Sequence, residues 1–595
     1  MATQDGRVRL RVWPGVAAVA VQWLALFALP LWNPDATVYG LMGAAVCAVA
    51  VLVWWTVFSR APRWERWTAP PFALGVAAVL PRFLDKSITT GMMGLMFLIY
   101  AIPSICLALA VWAVVAGRLG TGARRFGLFA AIAAACGAWA IVRTDGVTGA
   151  GVSQLTWRWS PTSEERLAAR FPAPPPAPGM PSPAVEFPRD EPAPEVRKAK
   201  APGVQAEWPG FRGPRRDGAV RGLRIGTDWA SSPPAEVWRR PVGPAWSSFA
   251  VAGGLLYTQE QRGESELVTC YRVASGEPVW MHADAVRFWE SNAGAGPRAT
   301  PAFAGGRVYA FGATGLLNAL DAATGRLIWR RNAAAEAGQE VPGWGFAGSP
   351  LIVDDVVIVA VAGRLAGYDA ATGEPRWMSE DGGGGYGSPH VATIDGVRQV
   401  ILLTGGGAMS VTPADGAALW KHEWKGFASL QPAVVDGGLL IPLGGSMGGE
   451  ATRRLGVHRA ATGWDIRESW TSRGLKPYFN DFVVHRGNAY GFDGSILSCI
   501  DLTDGKRRWK GGRYGSGQML LLADQDLLLV ISEEGELALV AAKPDEYQEL
   551  SKTPAIEGKT WNHPAVAGDL VVVRNAEEMA AFRLAPAVST AKRGE

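Results

Sequence analysis

The chain has 595 residues, 48% of them apolar, a formal charge of +4 and five cysteines. Its length exceeds one ordinary domain. So small a charge, with no run of Lys and Arg interleaved with aromatics after residue 206, excludes a nucleic-acid surface. The cysteines form no C-x-x-C pair and no C-x-x-C-H, which excludes a zinc ribbon and an attached c-type haem.

Apolar residues crowd into positions 1–142, in five stretches at 12–32, 38–58, 67–84, 92–116 and 126–142. Crossing about 30 Å of hydrocarbon takes roughly 20 helical residues, so the region reads as a membrane anchor of about five helices. The third stretch is the most interrupted, by Pro70, Pro71 and Pro81. A secretory signal peptide at 1–32 is excluded by the four apolar stretches that follow.

Arginines set the expected orientation. Arg7, Arg9 and Arg11 precede the first stretch; Arg60, Arg63 and Arg66 lie between the second and third; Arg118, Arg124 and Arg125 lie between the fourth and fifth. The alternate loops carry Arg82 and Lys86, with Arg143 after the last. The positive-inside rule places the N-terminus in the cytoplasm and everything after Arg143 outside. A re-entrant third stretch would make the count even and reverse that placement, against the arginine pattern.

Residues 143–171 form a short extracytoplasmic segment. Residues 172–206 are rich in Pro with Ala, Glu and Lys, a composition that makes an extended spacer and cannot bury a core. From 207 to 585 the sequence repeats itself, and 586–595 reads as a disordered tail. The clearest copies are Asp321-Ala-Ala-Thr-Gly-Arg-Leu-Ile-Trp329 and Asp369-Ala-Ala-Thr-Gly-Glu-Pro-Arg-Trp377. Variants end at Trp280, Trp420, Trp470 and Trp509, and β-branched runs precede them. A spacing of roughly 40 to 50 residues is that of a four-stranded propeller blade. The Thr-Gly or Asp-Gly pair supplies the tight turn before the fourth strand, and the Trp on that strand packs on the next blade. Counting a Trp-less seventh blade and an eighth from His563 to Leu584 predicts an all-β eight-bladed propeller. Val237-Trp238-Arg239 would supply the missing outer strand of the last blade, leaving no free edge.

These D-x-x-T-G-x-x-x-W blades resemble the repeats of the pyrroloquinoline-quinone (PQQ) quinoprotein superfamily. More narrowly, the chain resembles the bacterial PQQ-binding-like β-propeller repeat proteins. Trp208-Pro-Gly-Phe-Arg-Gly-Pro214, Gly294-Ala-Gly-Pro-Arg-Ala-Thr-Pro301, Leu475-Lys-Pro-Tyr-Phe-Asn-Asp-Phe482, Gly511-Gly-Arg-Tyr514 and Lys559-Thr-Trp-Asn-His-Pro564 carry that likeness. The multi-span anchor resembles that of membrane-bound glucose dehydrogenase in topology. The resemblance implies PQQ and Ca²⁺ as cofactors and membrane quinone as electron acceptor. One departure stands out: PQQ alcohol dehydrogenases stack the cofactor on adjacent cysteines, and no two cysteines adjoin here.

In a propeller the loops entering the innermost strands converge on one face. Polar and aromatic residues in those segments, with Arg574 from a turn between second and third strands on the same face, are therefore candidates for a ligand or cofactor: Glu290, Arg298, Trp344, Tyr386, Lys476, Asn480, Arg513, Trp561, Asn562 and Arg574. Glu290, Asn480 and Asp481 offer oxygens to a hard cation, and Asp481, Asp493 and His563 are the candidate acids and bases. Two functions are expected to compete. One is a binding or scaffolding propeller on the periplasmic face of the bacterial inner membrane, handling an envelope protein or small anionic ligand. The other is a PQQ-dependent sugar or alcohol dehydrogenase.

Overall fold

A computed structural model describes residues 11–116, 119–170, 185–186, 208–445 and 448–587. The Pro-rich spacer, apart from Val185–Glu186, and the tail from 588 lie outside the described residues, as do Arg7, Arg9 and Arg118. The chain forms two compact units. One is the helical region up to Thr162 together with Glu290–Gly294; the other is the rest of the chain from Ser163.

In the helical unit four helices are long and apolar enough to cross a membrane: Trp13–Trp32, Pro34–Phe58, Met96–Val115 and Gly122–Ile141. The third expected stretch is not among them. It falls in helix Arg63–Val79, whose first turn carries Glu65 between Arg63 and Arg66 and whose middle holds Pro70 and Pro71. Length is not what it lacks. Continued by the 3-10 turn Leu80–Arg82, the run is about 30 Å long at about 1.5 Å per residue.

Hydrogen bonds gather the helix ends into two groups. At one, the Arg11 amide donates to Ser59 O (3.0 Å), and the Arg124 guanidinium grips the fully buried Glu65 carboxylate through both oxygens, Nη2 lying 3.0 Å from Oε2. At the other, Arg158 Nη1 donates to Phe83 O (3.1 Å), the Arg158 amide to Ile141 O (2.9 Å) and the Thr144 amide to Ser87 Oγ (3.0 Å). Helix Arg63–Val79 thus shares both of its ends with helix Gly122–Ile141.

The second unit is the eight-bladed propeller. Its blades are antiparallel sheets at 250–284, 302–332, 351–378, 390–423, 433–472, 483–513, 518–554 and 565–583. Blade 8 has only three strands of its own. Ala235–Pro241 supplies the fourth, with Trp238 opposite Ala581, so the ring closes on a strand that precedes blade 1 in sequence. Two blades take an extra strand: Val185–Glu186 pairs along the outer strand of blade 1, and Ala219–Val220 lies parallel to the innermost strand of blade 7.

The seams between blades explain the repeat. Indole Nε1 donates to a carbonyl of the following blade from Trp238 (Val273, 2.8 Å), Trp280 (Ala322, 3.0 Å), Trp329 (Ala370, 3.1 Å), Trp377 (Pro413, 3.1 Å), Trp470 (Leu502, 3.1 Å) and Trp509 (Lys543, 2.7 Å). Under five of these indoles lies the turn glycine of the following blade, Gly276, Gly325, Gly373, Gly416 or Gly505. Blade 7 has no glycine in that turn, and Tyr547 stands beside Trp509 with ring centroids 5.7 Å apart. Gly373, at φ +76°, is so close that a Cβ would come within 2.6 Å of Trp329. Glycine is needed there both for its backbone conformation and for its missing side chain. Two seams differ. Trp420 turns its Nε1 to Gln399 Oε1 of its own blade (2.6 Å), and blade 7 has no such Trp.

Candidate functional site

The centre of the ring is filled by the chain itself. Trp208-Pro-Gly-Phe-Arg-Gly-Pro-Arg-Arg-Asp-Gly218 crosses it and bonds blade after blade. Trp208 exchanges backbone bonds with Val251 of blade 1 (3.2 and 2.6 Å), and Pro209 O accepts from Phe303 of blade 2 (2.7 Å). Arg216 donates to Pro350 O (2.8 Å) and Ser349 O (3.1 Å) before blade 3, and its own carbonyl accepts from Gln431 before blade 5 (2.6 Å). Arg212 pairs with Asp481 before blade 6 (3.1 Å), Gly218 O accepts from Leu521 of blade 7 (2.9 Å), and Phe211 meets His563 before blade 8 edge-on at 4.9 Å. Arg212, Gly213, Arg216 and Gly218 all adopt positive φ, which coils the segment tightly enough to fit.

Burial sets the charge states of this plug. Desolvation, then Arg212, push the Arg216 guanidinium down to about 9, with Asp481 opposing. His390, wholly buried on blade 4, is pushed down to about 3 by desolvation and then by Arg216 and Arg212, so it is neutral. For Asp481 desolvation works upward, but Arg212 and the 2.8 Å hydrogen bond with His563 Nε2 outweigh it and hold the carboxyl below its ordinary range. Above the plug, hydroxyls tie the entry loops in series: Ser248 N to Thr300 Oγ1 (3.0 Å), Thr300 N to Ser349 Oγ (2.9 Å) and Ser349 N to Ser388 Oγ (2.9 Å).

The polar candidates are accordingly engaged in holding the ring. Asp481 and His563 belong to the plug network. Asn562 Nδ2 donates to Ala245 O (3.1 Å) and Ser247 O (2.7 Å). Arg574, fully buried, spends its Nη1 and Nη2 on Thr258 Oγ1, Gln259 O and Gly243 O at 2.7–3.0 Å. Asn480 Oδ1 accepts the Tyr478 amide at 3.2 Å. Arg298 lies 4.9 Å over the Phe288 ring and donates to Ala295 O (3.2 Å), and Trp344 is half-buried before blade 3. Glu290 belongs to the helical unit, where its carboxylate accepts the amides of Asn292 (2.7 Å) and Ala293 (2.6 Å). The three oxygen-bearing residues Glu290, Asn480 and Asp481 are not assembled as a cation site: a guanidinium already neutralises Asp481. No group of three or more His, Cys, Asp or Glu suited to a metal occurs among the described residues. The residues at the ring centre therefore do not fit a metal-bound quinone.

What the entry face does present is a series of half-buried rings. Tyr386, Phe427, Tyr478, Phe479, Trp561 and Trp246 follow one another with centroids 4.9–5.6 Å apart, from the loops entering blades 4, 5, 6, 8 and 1. Lys559 Nζ sits 4.6 Å over Trp561 and 5.5 Å over Trp246, and Glu533 fixes the Trp561 indole at 2.8 Å. Tyr386 and Trp561 stood out in the sequence; Phe427, Phe479 and Trp246 did not, because no repeat register marks them. Beside this arc, Asp493 is ringed by Lys476 (3.1 Å), Lys510 (2.8 Å) and Arg507 (2.5 Å), and Arg513 donates to Ser495 Oγ.

A family model described as outer membrane protein assembly factor BamB matches residues 268–511. The propeller carries a PQQ-repeat domain. Over 149 residues the chain is 29% identical to the lanthanide-dependent methanol dehydrogenase of Methylacidiphilum fumariolicum (strain SolV). That match takes in 22% of either protein, so the chain spans under a quarter of this relative's length. Among solved structures it is similar to BamB from Moraxella catarrhalis, at 16% identity and a TM-score of 0.42 over 59% of this chain and 98% of that one. A europium-containing methanol dehydrogenase matches at 12% identity and TM-score 0.40, over 65% and 99% of the two chains. The quinohemoprotein alcohol dehydrogenase of Comamonas testosteroni matches at 13% and 0.39, over 66% and 82%.

Proposed function

We propose that this chain is a membrane-anchored binding module of the cell envelope, its propeller held in the periplasm and its ligand taken on the aromatic arc of the entry face. One observation carries the reading: the plug from Trp208 to Gly218 occupies the ring centre, and Arg212 supplies the countercharge that a cation beside Asp481 would otherwise provide. A rigid ring with a closed centre and an aromatic rim suits recognition, and the fold by itself does not dictate chemistry. The inner membrane and a cytoplasmic N-terminus are supported by the helix ends. Arg11, Arg60, Arg63, Arg66 and Arg124 gather at the end where the described chain begins, and Thr144 leaves from the other.

The competing reading, a PQQ dehydrogenase passing electrons to membrane quinone, draws on the likeness to the lanthanide-dependent methanol dehydrogenase. Adding PQQ with Ca²⁺, and separately with La³⁺, to the full chain in detergent discriminates between the two. The binding-module reading expects no bound-quinone absorbance at micromolar PQQ and no dye reduction with alcohols or sugars. Stoichiometric PQQ and substrate-dependent dye reduction would overturn it.

A further inference from the structure

Resting on that reading, we infer that the ligand of the entry face is an anionic saccharide chain, its sugar rings seated on the aromatic arc and its acidic groups on the cation cluster of blade 6. Three cations share one carboxylate there. Lys510 Nζ and Arg507 Nη2 both lie on Asp493 Oδ2, at 2.8 and 2.5 Å, and Lys476 Nζ lies on Oδ1 at 3.1 Å. Asp493 is 8% exposed, whereas the cations are 30–39% exposed, so the net charge of about two faces water. Two cationic nitrogens on one oxygen are held within about 5 Å of each other, a repulsive arrangement that a bound anion relieves. Backbone carbonyls fix the geometry, since Arg507 also donates to Gly474 O and Arg473 O at 3.3 Å.

The cluster and the arc are continuous: Lys476 precedes Tyr478 by two residues, and Phe479 follows. The arc also chooses the body of the ligand. Neighbouring rings are inclined to one another by 38–59°, so one planar molecule could stack on only one of them at a time. A chain of pyranose units, each free to turn about its glycosidic bonds, can offer a separate C–H face to each ring. Loops of five blades contribute, which gives the site the extent of a polymer rather than of a compact metabolite.

The test uses the full chain in detergent, titrated by calorimetry with a hexauronate, a phosphorylated hexasaccharide of matched length, neutral maltohexaose and inorganic phosphate. We expect one or both acidic oligomers to bind at least tenfold more tightly than maltohexaose, the stronger arm telling carboxylate from phosphate. Lys476→Gln and Lys510→Gln should each weaken that binding at least threefold and flatten its salt dependence. Phe479→Ala should weaken acidic and neutral oligomers by the same factor. Each variant is paired with its thermal midpoint, and Lys476→Gln, on the most loosely held cation, keeps the test valid should Lys510→Gln unfold. Equal binding of acidic and neutral oligomers, or no effect of either Lys variant, overturns the anion subsite and leaves the binding module standing. Binding of inorganic phosphate without any oligomer overturns the saccharide. Failure of the binding-module reading itself shows elsewhere, as PQQ uptake.

Discussion

Arg212 Nη1 and Asp481 Oδ1 face each other at 3.1 Å in the middle of the ring, with only 3% and 1% of their side chains exposed. A buried pair of this kind is costly to break and cheaper to replace whole, because removing one partner strands a desolvated charge. Arg212→Ala is expected to lower propeller stability by about 3–5 kcal/mol. The double change Arg212→Met with Asp481→Leu should recover part of that loss, since both charges then leave together. Denaturant unfolding of the full chain in detergent, followed by tryptophan fluorescence, measures the coupling. Strict additivity of the two single losses would mean that the pair does not act as a unit.

His390 gives the plug an acid limit. Its folded value is pushed from the ordinary 6.5 down to about 3 by burial first and then by Arg216 and Arg212, with Gln431 and Asp217 opposing. Between those values the unfolded chain binds a proton that the folded chain refuses, so stability falls as pH falls through the window, by about 1.4 kcal/mol per pH unit. Asp481 adds nothing over most of that range. Its folded value is depressed, so its contribution is present above the ordinary 3.8 and lost only as pH falls through the folded value. His390→Gln should therefore flatten the stability profile from pH 6 to 4.5, measured as thermal midpoints, while the profile below pH 3.5 keeps its descent.

The ring was legible because one physical requirement recurs in five of the eight seams. The Asp-x-x-Thr-Gly turn of one blade must slide beneath the Trp of the blade before it, as Gly373 does beneath Trp329, and a requirement met many times leaves a period. The plug leaves none. Trp208-Pro-Gly-Phe-Arg-Gly-Pro214 is used once, each contact reaching a different blade, so the sequence betrayed a likeness but not a location. Its arginines carry no repeat signal, whereas Asp481, which Arg212 engages, and His563, which bonds to Asp481, read in the sequence as candidates for chemistry. The aromatic arc was half visible: Tyr386 and Trp561 fall off the blade register, whereas Phe427 and Phe479 look like ordinary apolar residues until the loops converge. The third apolar stretch was the weakest in the sequence because Pro70, Pro71 and Pro81 interrupt it. It folds as helix Arg63–Val79, which is not among the four helices long and apolar enough to cross a membrane, and the charge near its start, Glu65, is neutralised by Arg124.

The two glycines at equivalent turns separate steric from conformational cost. Gly373 (φ +76°) has the Trp329 indole 2.6 Å from where a Cβ would stand, while Gly463 (φ +83°), in the turn of blade 5, has nothing within 4 Å. Both substitutions to Ala force a left-handed backbone on an L side chain, at about 1–2 kcal/mol. Only Gly373→Ala must also push an indole out of its seam and lengthen the 3.1 Å bond from Trp329 to Ala370. We expect Gly463→Ala to cost about 1 kcal/mol and Gly373→Ala at least about 2 kcal/mol more. Equal losses would show that the indole moves aside freely.

Glu65 and Arg124 bear on which side of the bilayer the propeller stands. Their ion pair joins the start of helix Arg63–Val79 to the start of the last apolar helix, and Arg158 joins the far ends through Phe83 O and Ile141 O. If both helices cross, reporters inserted at Ser59 and Gly120 should read one side, and those at Asp85 and Gly149 the other. A reporter at Asp85 reading with Ser59 would make the number of crossings even and put the propeller on the same side as the N-terminus. The pair itself can be probed without any reporter. Arg124→Ala leaves the Glu65 carboxylate buried without its guanidinium, whereas Arg124→Ala with Glu65→Gln leaves a neutral amide. The single variant should yield several-fold less folded protein in the membrane than the double, as a loss of about 1–3 kcal/mol requires. Equal yields would mean that the carboxylate finds water or another partner, and that the pair does not hold these helices side by side.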